Sequence, residues 1–139
     1  GVLFRAVLEG LAFESRLILE ALGSHHAVPP LQDIHAIGGN TRNRLLMQIK
    51  ATVLNRTFIL ADIEEAVALG AALLGGLGAG VYPSVAAALG GLRYARTAIE
   101  PVAEQVDRYD ALFRQVYREM YPALRPIHHK IHAATSITG

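Results

Sequence analysis

Ile34-His35-Ala36-Ile37-Gly38-Gly39-Asn40-Thr41-Arg42-Asn43-Arg44-Leu45-Leu46-Met47-Gln48 reads as a short strand, a tight glycine turn and the first turns of a helix. Paired glycines let a backbone turn sharply and let another molecule come close. The first amides of the following helix lack carbonyl partners and carry partial positive charge, so they suit an anion such as phosphate. Asn43 offers both a donor and an acceptor to a base or ribose. A Gly-Gly pair is also an ordinary turn, and on these residues alone that plainer reading stays open.

Strand and helix signals continue on both sides. Leu3 to Leu22 has apolar residues near helical spacing at Val7, Leu8, Leu11, Ala12, Ile18, Leu19 and Leu22, with Gly23 as a stop. Ser24 to Gln32 holds His25, His26 and Pro29-Pro30 and reads as a loop. Asp33 to Ile37 reads as a strand. Thr41 to Leu54 reads as a helix burying Leu45, Leu46, Ile49 and Val53. Asn55-Arg56 turns into a strand at Thr57-Phe58-Ile59. Asp62 with Glu65 then resembles a capping box for a helix over Ile63 to Leu77. Gly75, Gly76, Gly78 and Gly80 are expected to dissolve that helix. A short helix over Pro83 to Leu89, an extended piece at Arg93 to Thr97 and a last helix over Val102 to Leu124 follow. The last helix is expected to break at Pro122 and close at Pro126. Strands alternating with helices indicate an α/β layer, and two short strands are too few to fill one.

Composition narrows the functional classes. The chain has 139 residues, the size of one domain, and no cysteine, which excludes disulfides and thiolate metal sites. With 13 basic and 12 acidic residues the net charge is +1, which gives no footprint for nucleic acid or an anionic membrane. Charged residues are only 18% of the chain, so extensive burial is expected, against a neighbour or a second copy. The uncharged run Ala66 to Leu92 is long enough to cross a bilayer. Its alanine and glycine content and the Tyr82-Pro83-Ser84 interruption argue instead for a buried helix, a glycine loop and a short helix. No secretory signal is visible, a cytoplasmic location is expected, and an opening on Gly1 rather than Met fits a piece of a longer protein, or a processed or tagged one.

Other residues with chemical potential have plainer readings. His128 and His132 stand four apart, a metal-ligand spacing, with His129 between them, but no third ligand is evident and a solvated end is the default. Glu9, Glu14 and Glu20 fit a solvated helix face, and Glu64 and Glu65 fit helix-start charges. Asn55-Arg56-Thr57 matches a glycosylation triplet that carries little weight without a signal peptide. There is no Walker-type Gly-Lys-Ser/Thr and no Gly-x-Gly-x-x-Gly opening a helix, so the Gly38-Gly39 turn remains the best candidate.

Four stretches together resemble the C-terminal domain of the FGGY carbohydrate kinases, the group of glycerol kinase, xylulokinase and gluconokinase. They are Arg5 to Phe13, Ile37 to Gln48, Glu65-Ala66-Val67-Ala68-Leu69-Gly70-Ala71-Ala72, and Glu100-Pro101 with Tyr109, Phe113, Tyr117 and Tyr121 at fourfold spacing. The resemblance implies a ribonuclease H-like, actin-type ATPase domain with few strands and flanking helices, residues 1–139 being the nucleotide-side half of a two-domain kinase. It implies ATP and Mg²⁺, the latter held mainly by an N-terminal domain, and a sugar or polyol substrate. Gly38 would serve the turn, Gly39 would meet the nucleotide phosphates and Asn43 the adenosine end. No residue here matches the family's catalytic base, so this chain alone is expected to be inactive. Departures from the family pattern include Thr52, where an aspartate is usual. The alternative expectation is a non-catalytic domain of the same fold that docks a partner domain or a second copy.

Overall fold

The computed structural model describes residues 1–24, 33–63 and 65–135. His25, His26 and the rest of the expected loop beyond Ser24 lie outside them, as does Glu64. The elements are α1 (Val2–Gly23), β1 (Ile34–Ala36), a 3₁₀ turn (Gly39–Arg42), α2 (Arg44–Leu54), β2 (Phe58–Ala61), α3 (Ala66–Gly78), α4 (Val85–Gly90), β3 (Arg96–Ile99), α5 (Ala103–Leu112), a π turn (Phe113–Tyr117) and α6 (Arg118–Thr135). The sheet order is β1-β2-β3, with β1 parallel and β3 antiparallel to β2. The third strand was foreshadowed only as an extended piece at Arg93 to Thr97.

Helix α1 packs on α2, and α2 packs on α5. Leu8, Ala12 and Phe13 of α1 meet Leu46, Met47, Ile49 and Val53 of α2, Phe58 and Leu60 of β2, and Tyr109 and Phe113. Much of the expected α1 stripe stays outside: Val7, Leu11, Ile18 and Leu22 are all exposed. Leu45 is exposed as well, so the α2 stripe runs through Leu46, Ile49 and Val53 without it. At the far end of α2, Asn55 takes a left-handed backbone (φ 48°) that asparagine tolerates better than most residues.

The closing helix docks through its aromatic row. The Tyr109 hydroxyl donates to Glu9 at 2.8 Å and accepts from Arg5 at 3.0 Å, and the Tyr117 hydroxyl donates to Glu14 at 3.0 Å. Burial first, then the bond to Glu9, raises the Tyr109 hydroxyl pKa. Glu9 and Glu14 are therefore acceptors for the closing helix rather than a purely solvated face. The wider π turn keeps Phe113 and Tyr117 over α1, whereas Tyr121, next in the fourfold row, is exposed.

Thr52 is 2% exposed. Its hydroxyl donates to the Gln48 carbonyl at 2.8 Å and accepts the Val102 amide at 3.2 Å. Gln48 donates to the Glu100 carbonyl at 2.7 Å. Together these bonds fasten the start of α5 to α2.

Several boundaries differ from expectation. The second helix begins at Arg44, not Thr41, because Gly39–Arg42 winds as a 3₁₀ turn first. There is no Asp62–Glu65 capping box. The Asp62 amide still bonds the Ala95 carbonyl at the sheet edge (3.0 Å), and α3 begins only after Glu65, whose side chain makes no capping bond. Helix α3 runs through Gly75 and Gly76 and ends at Gly78, one residue beyond the expected Leu77, and starts at Ala66 rather than Ile63. Ser84 caps α4, so Pro83 stands before the helix rather than inside its first turn. Pro122 and Pro126 lie within α6 without ending it.

Arg16 joins three segments, donating to Asp110, to Glu20 and to the Val53 carbonyl (3.2 Å). Its hydrogen bond, with that of Arg114, holds the Asp110 carboxyl below the ordinary aspartate pKa. A depressed folded-state pKa stabilises the fold above the unfolded value, and that contribution disappears as pH falls through the folded one. The Asp110 side chain is 39% exposed, so solvent screens the effect. Asp110→Asn is expected to lower the melting temperature modestly at neutral pH and low salt. The gap from wild type should close in thermal melts taken at progressively lower pH. A gap that persists in acid would show that the carboxylate charge is not its source.

Candidate functional site

The Gly38-Gly39 turn leaves β1 and enters the 3₁₀ turn that leads to α2. Gly38 has φ 86° and ψ −177°, a backbone region essentially confined to glycine. Its amide donates to the Ile63 carbonyl at 3.3 Å, and its carbonyl accepts the Thr41 amide at 3.0 Å and the Thr41 hydroxyl at 2.8 Å. The amide of Gly38 is thus spent on the fold and ties this turn to the start of α3.

Gly39 differs. Its φ lies outside the left-handed region, and a Cβ built on it would meet no atom within 4 Å. Nothing in the described chain requires glycine there. No acceptor among the described residues takes its amide. A small residue facing open space with its amide available fits the close approach of a phosphate oxygen.

The turn and the start of α3 line one open groove of about 320 Å³, formed by Ile37, Gly38, Gly39, Glu65, Ala66 and Val67. Two helical segments, the 3₁₀ turn and α3, begin at this groove. Their first amides lack intrahelical acceptors and place partial positive charge at its rim. Sequence reasoning singled out the glycines and the α3 motif separately; the Gly38–Ile63 bond brings them together.

Asn43 lies apart from this lining. It is the N-cap of α2, and its side-chain oxygen accepts the Leu46 amide at 3.0 Å. The expectation that it offers both a donor and an acceptor is corrected: the acceptor is occupied by the Leu46 amide, and no described residue accepts from the side-chain NH₂. Among the described residues there is no group of three or more His, Asp or Glu side chains that could hold a metal ion. His128, His129 and His132 stand on the exposed α6. No helix among the described residues is long and apolar enough to cross a membrane.

Comparison with known proteins identifies the family and the fold. Residues 1–79 match the C-terminal domain of the FGGY family of carbohydrate kinases. A ribulokinase from Staphylococcus aureus (strain Newman) is 35% identical over 128 residues, which are 91% of this chain and 22% of that protein. Among solved structures, xylulose kinase from Rhodospirillum rubrum superposes with a TM-score of 0.72 at 31% identity, covering 91% of this chain and 25% of the other. Glycerol kinase from Plasmodium falciparum, solved with ADP, superposes with a TM-score of 0.66 at 25% identity, covering 83% and 23%. The chain therefore spans between a fifth and a quarter of the length of these relatives. The fold is the ribonuclease H-like, actin-type ATPase class, with a small three-stranded sheet and flanking helices. With the glycine turn, the α3 motif and the closing aromatic row in one structure, the chain belongs to the FGGY family of carbohydrate kinases, as a C-terminal domain.

Proposed function

We propose that this chain forms the nucleotide-side wall of the cleft in an ATP-dependent sugar or polyol kinase. The observation that carries the proposal is Gly39, a glycine that nothing among the described residues requires, whose amide none of them accepts, at the mouth of a groove rimmed by two helix starts. In this reading Gly39 meets the phosphates, Gly38 holds the turn, and the Asn43 NH₂ reaches the adenosine end.

Phosphoryl transfer to an alcohol needs in-line positioning, a base to accept the hydroxyl proton, and a cation over the phosphates. This chain contributes positioning and backbone dipoles. The base, the sugar contacts and most of the Mg²⁺ site belong to an N-terminal domain in this reading. Mg²⁺ when bound neutralises charge on the transferring phosphates. Two glycines and the helix-start amides of the groove fit the phosphate. Glu65 at the rim is suited to a metal-complexed phosphate better than to a bare one.

The 139-residue chain alone is expected to show no sugar-dependent ATP turnover, since half a cleft neither supplies the base nor closes to expel water. Measurable turnover by the purified chain would refute the division of labour. In a full-length protein carrying this domain, Gly39→Ala should weaken binding of a non-hydrolysable ATP analogue. Displacing one charge-assisted hydrogen bond, about 1.5–3 kcal/mol, corresponds to a roughly ten- to hundredfold loss. Asn43→Ser keeps a capping oxygen and removes the NH₂, so it tests the adenosine contact without uncapping α2. Binding unchanged by both substitutions would place the nucleotide elsewhere.

The exposed apolar row Phe4, Val7 and Leu11 on α1 also suits a non-catalytic domain that docks a partner. Absence of nucleotide binding in the full-length protein would favour that reading.

A further inference from the structure

A trans peptide group is planar, and its carbonyl and its N–H point in opposite directions. Whatever holds the carbonyl of Gly38 therefore aims the amide of Gly39. The peptide that joins them is trans. Its carbonyl takes two donors from one residue, the Thr41 amide at 3.0 Å and the Thr41 hydroxyl at 2.8 Å. A carbonyl oxygen has two lone pairs, so both are occupied. The carbonyl is turned onto the 3₁₀ turn, and the Gly39 N–H points the other way, away from Thr41. That is the amide which no described residue accepts, on a residue that lines the groove.

The flanking chain does not force this orientation. A half-turn of one peptide group changes only ψ of the residue before it and φ of the residue after it. At Gly38 it would leave φ at 86° and carry ψ from −177° to about 3°, the ordinary glycine position of a type II turn. Gly39 has no Cβ to resist the matching change in its φ. The Gly38 amide, bonded to the Ile63 carbonyl at 3.3 Å, belongs to the preceding peptide group and does not stop the rotation. Two adjacent glycines thus admit two states of one peptide, and these present opposite partial charges outward. The N–H attracts a phosphate oxygen and the C=O repels it.

We propose that Thr41 is a positioning residue for the phosphate contact, its hydroxyl selecting the peptide state in which the Gly39 amide faces the ligand. The backbone bond from the Thr41 amide comes with any residue that winds the 3₁₀ turn. The second bond depends on the side chain, and a short hydroxyl supplies it by reaching the carbonyl three residues back. A donor fixed before the ligand arrives spares binding the cost of turning it. This inference rests on the reading of Gly39 as the phosphate contact.

The test titrates the full-length protein with a non-hydrolysable ATP analogue and with adenosine, which lacks phosphate. Thr41→Val keeps the branched shape and removes the donor. It should weaken the analogue about three- to tenfold, the share of one neutral hydrogen bond, and leave adenosine nearly unchanged. Thr41→Ser keeps the hydroxyl and should bind the analogue almost as wild type does. Thr41→Ala serves the same comparison if valine prevents folding. In a Gly39→Ala background Thr41→Val should add little, because the amide it positions is already obstructed. A merely structural role would lower the melting temperature and weaken both ligands alike, and that result would overturn the proposal. So would losses at the two positions that simply add. A neutral Thr41→Val beside a damaging Gly39→Ala sinks this inference and leaves the kinase reading standing. A neutral Gly39→Ala removes the phosphate contact itself, and both fall together.

Discussion

Phe113→Ala is expected to cost the fold about 3–5 kcal/mol, the range for truncating a buried aromatic side chain. Phe113 is wholly inaccessible to solvent. Its ring stands 6.0 Å from that of Phe13, at 30° between planes, and 6.1 Å from that of Tyr117. The Arg16 guanidinium carbon lies 4.2 Å above it. The residue thus sits at the junction of α1 with the closing helix, and the cation above it also ties Asp110, Glu20 and the Val53 carbonyl. Truncation removes ring contacts on two sides and the π face that Arg16 covers, a cation–π contribution of about 0.5–2 kcal/mol. Typical domains have a net stability of about 5–15 kcal/mol, so this loss takes a large share of it. Urea melts of the 139-residue chain should show a lower midpoint with an unchanged slope. Tyr121→Ala supplies the control. It belongs to the same fourfold row but is 65% exposed, and its effect should stay within about 0.5 kcal/mol. A loss of about 1 kcal/mol or less for Phe113→Ala would mean that the closing helix is not part of the core.

That contrast shows what the sequence carries and what it lacks. Fourfold spacing correctly marks Tyr109, Phe113 and Tyr117 as one row but cannot say where the row leaves the core. That is set by how far α1 extends beneath it. The strands β1 and β2 and the helix between them were legible because apolar runs and glycines bound them on both sides. The missing cap at Asp62 was not, because the amide of that residue is held by Ala95, more than thirty positions away, and the Ile63 amide turns back onto the Ala61 carbonyl. The prolines of α6 mislead for a related reason. Proline removes a helical donor, but α6 is solvent-exposed throughout, so water can take the carbonyls left over. Local rules fail here wherever a distant strand or the solvent supplies the partner. At the candidate site the glycines were legible as a motif, while the cap role of Asn43 depends on a 3₁₀ turn stabilised by the Thr41 hydroxyl on the Gly38 carbonyl. Nothing in the residue types distinguishes that turn from the first turn of an α-helix.

The adjacent glycines of the turn should respond to the same substitution with opposite signs. Gly38→Ala places a Cβ on a backbone at φ 86° and ψ −177°, and such strain costs of order 1–3 kcal/mol. No atom lies within 4 Å of that Cβ, so the cost is conformational rather than steric contact with a neighbour. The turn cannot easily relax, because the Gly38 amide is bonded to Ile63 and its carbonyl to both donors of Thr41. Gly39→Ala meets neither strain nor a neighbour. By restricting the unfolded chain it should stabilise the fold by about 0.4–1 kcal/mol. Chemical denaturation of the two variants of the 139-residue chain reads the difference directly, with no ligand present. Nucleotide titration of the full-length variants should then invert the emphasis, Gly39→Ala losing affinity while remaining fully folded. A glycine that improves stability when replaced, and impairs binding when replaced, is retained for the ligand. If Gly39→Ala instead destabilises the chain, that glycine is serving the fold, and the phosphate contact has to be sought at the amides of Ala66 and Val67 across the groove.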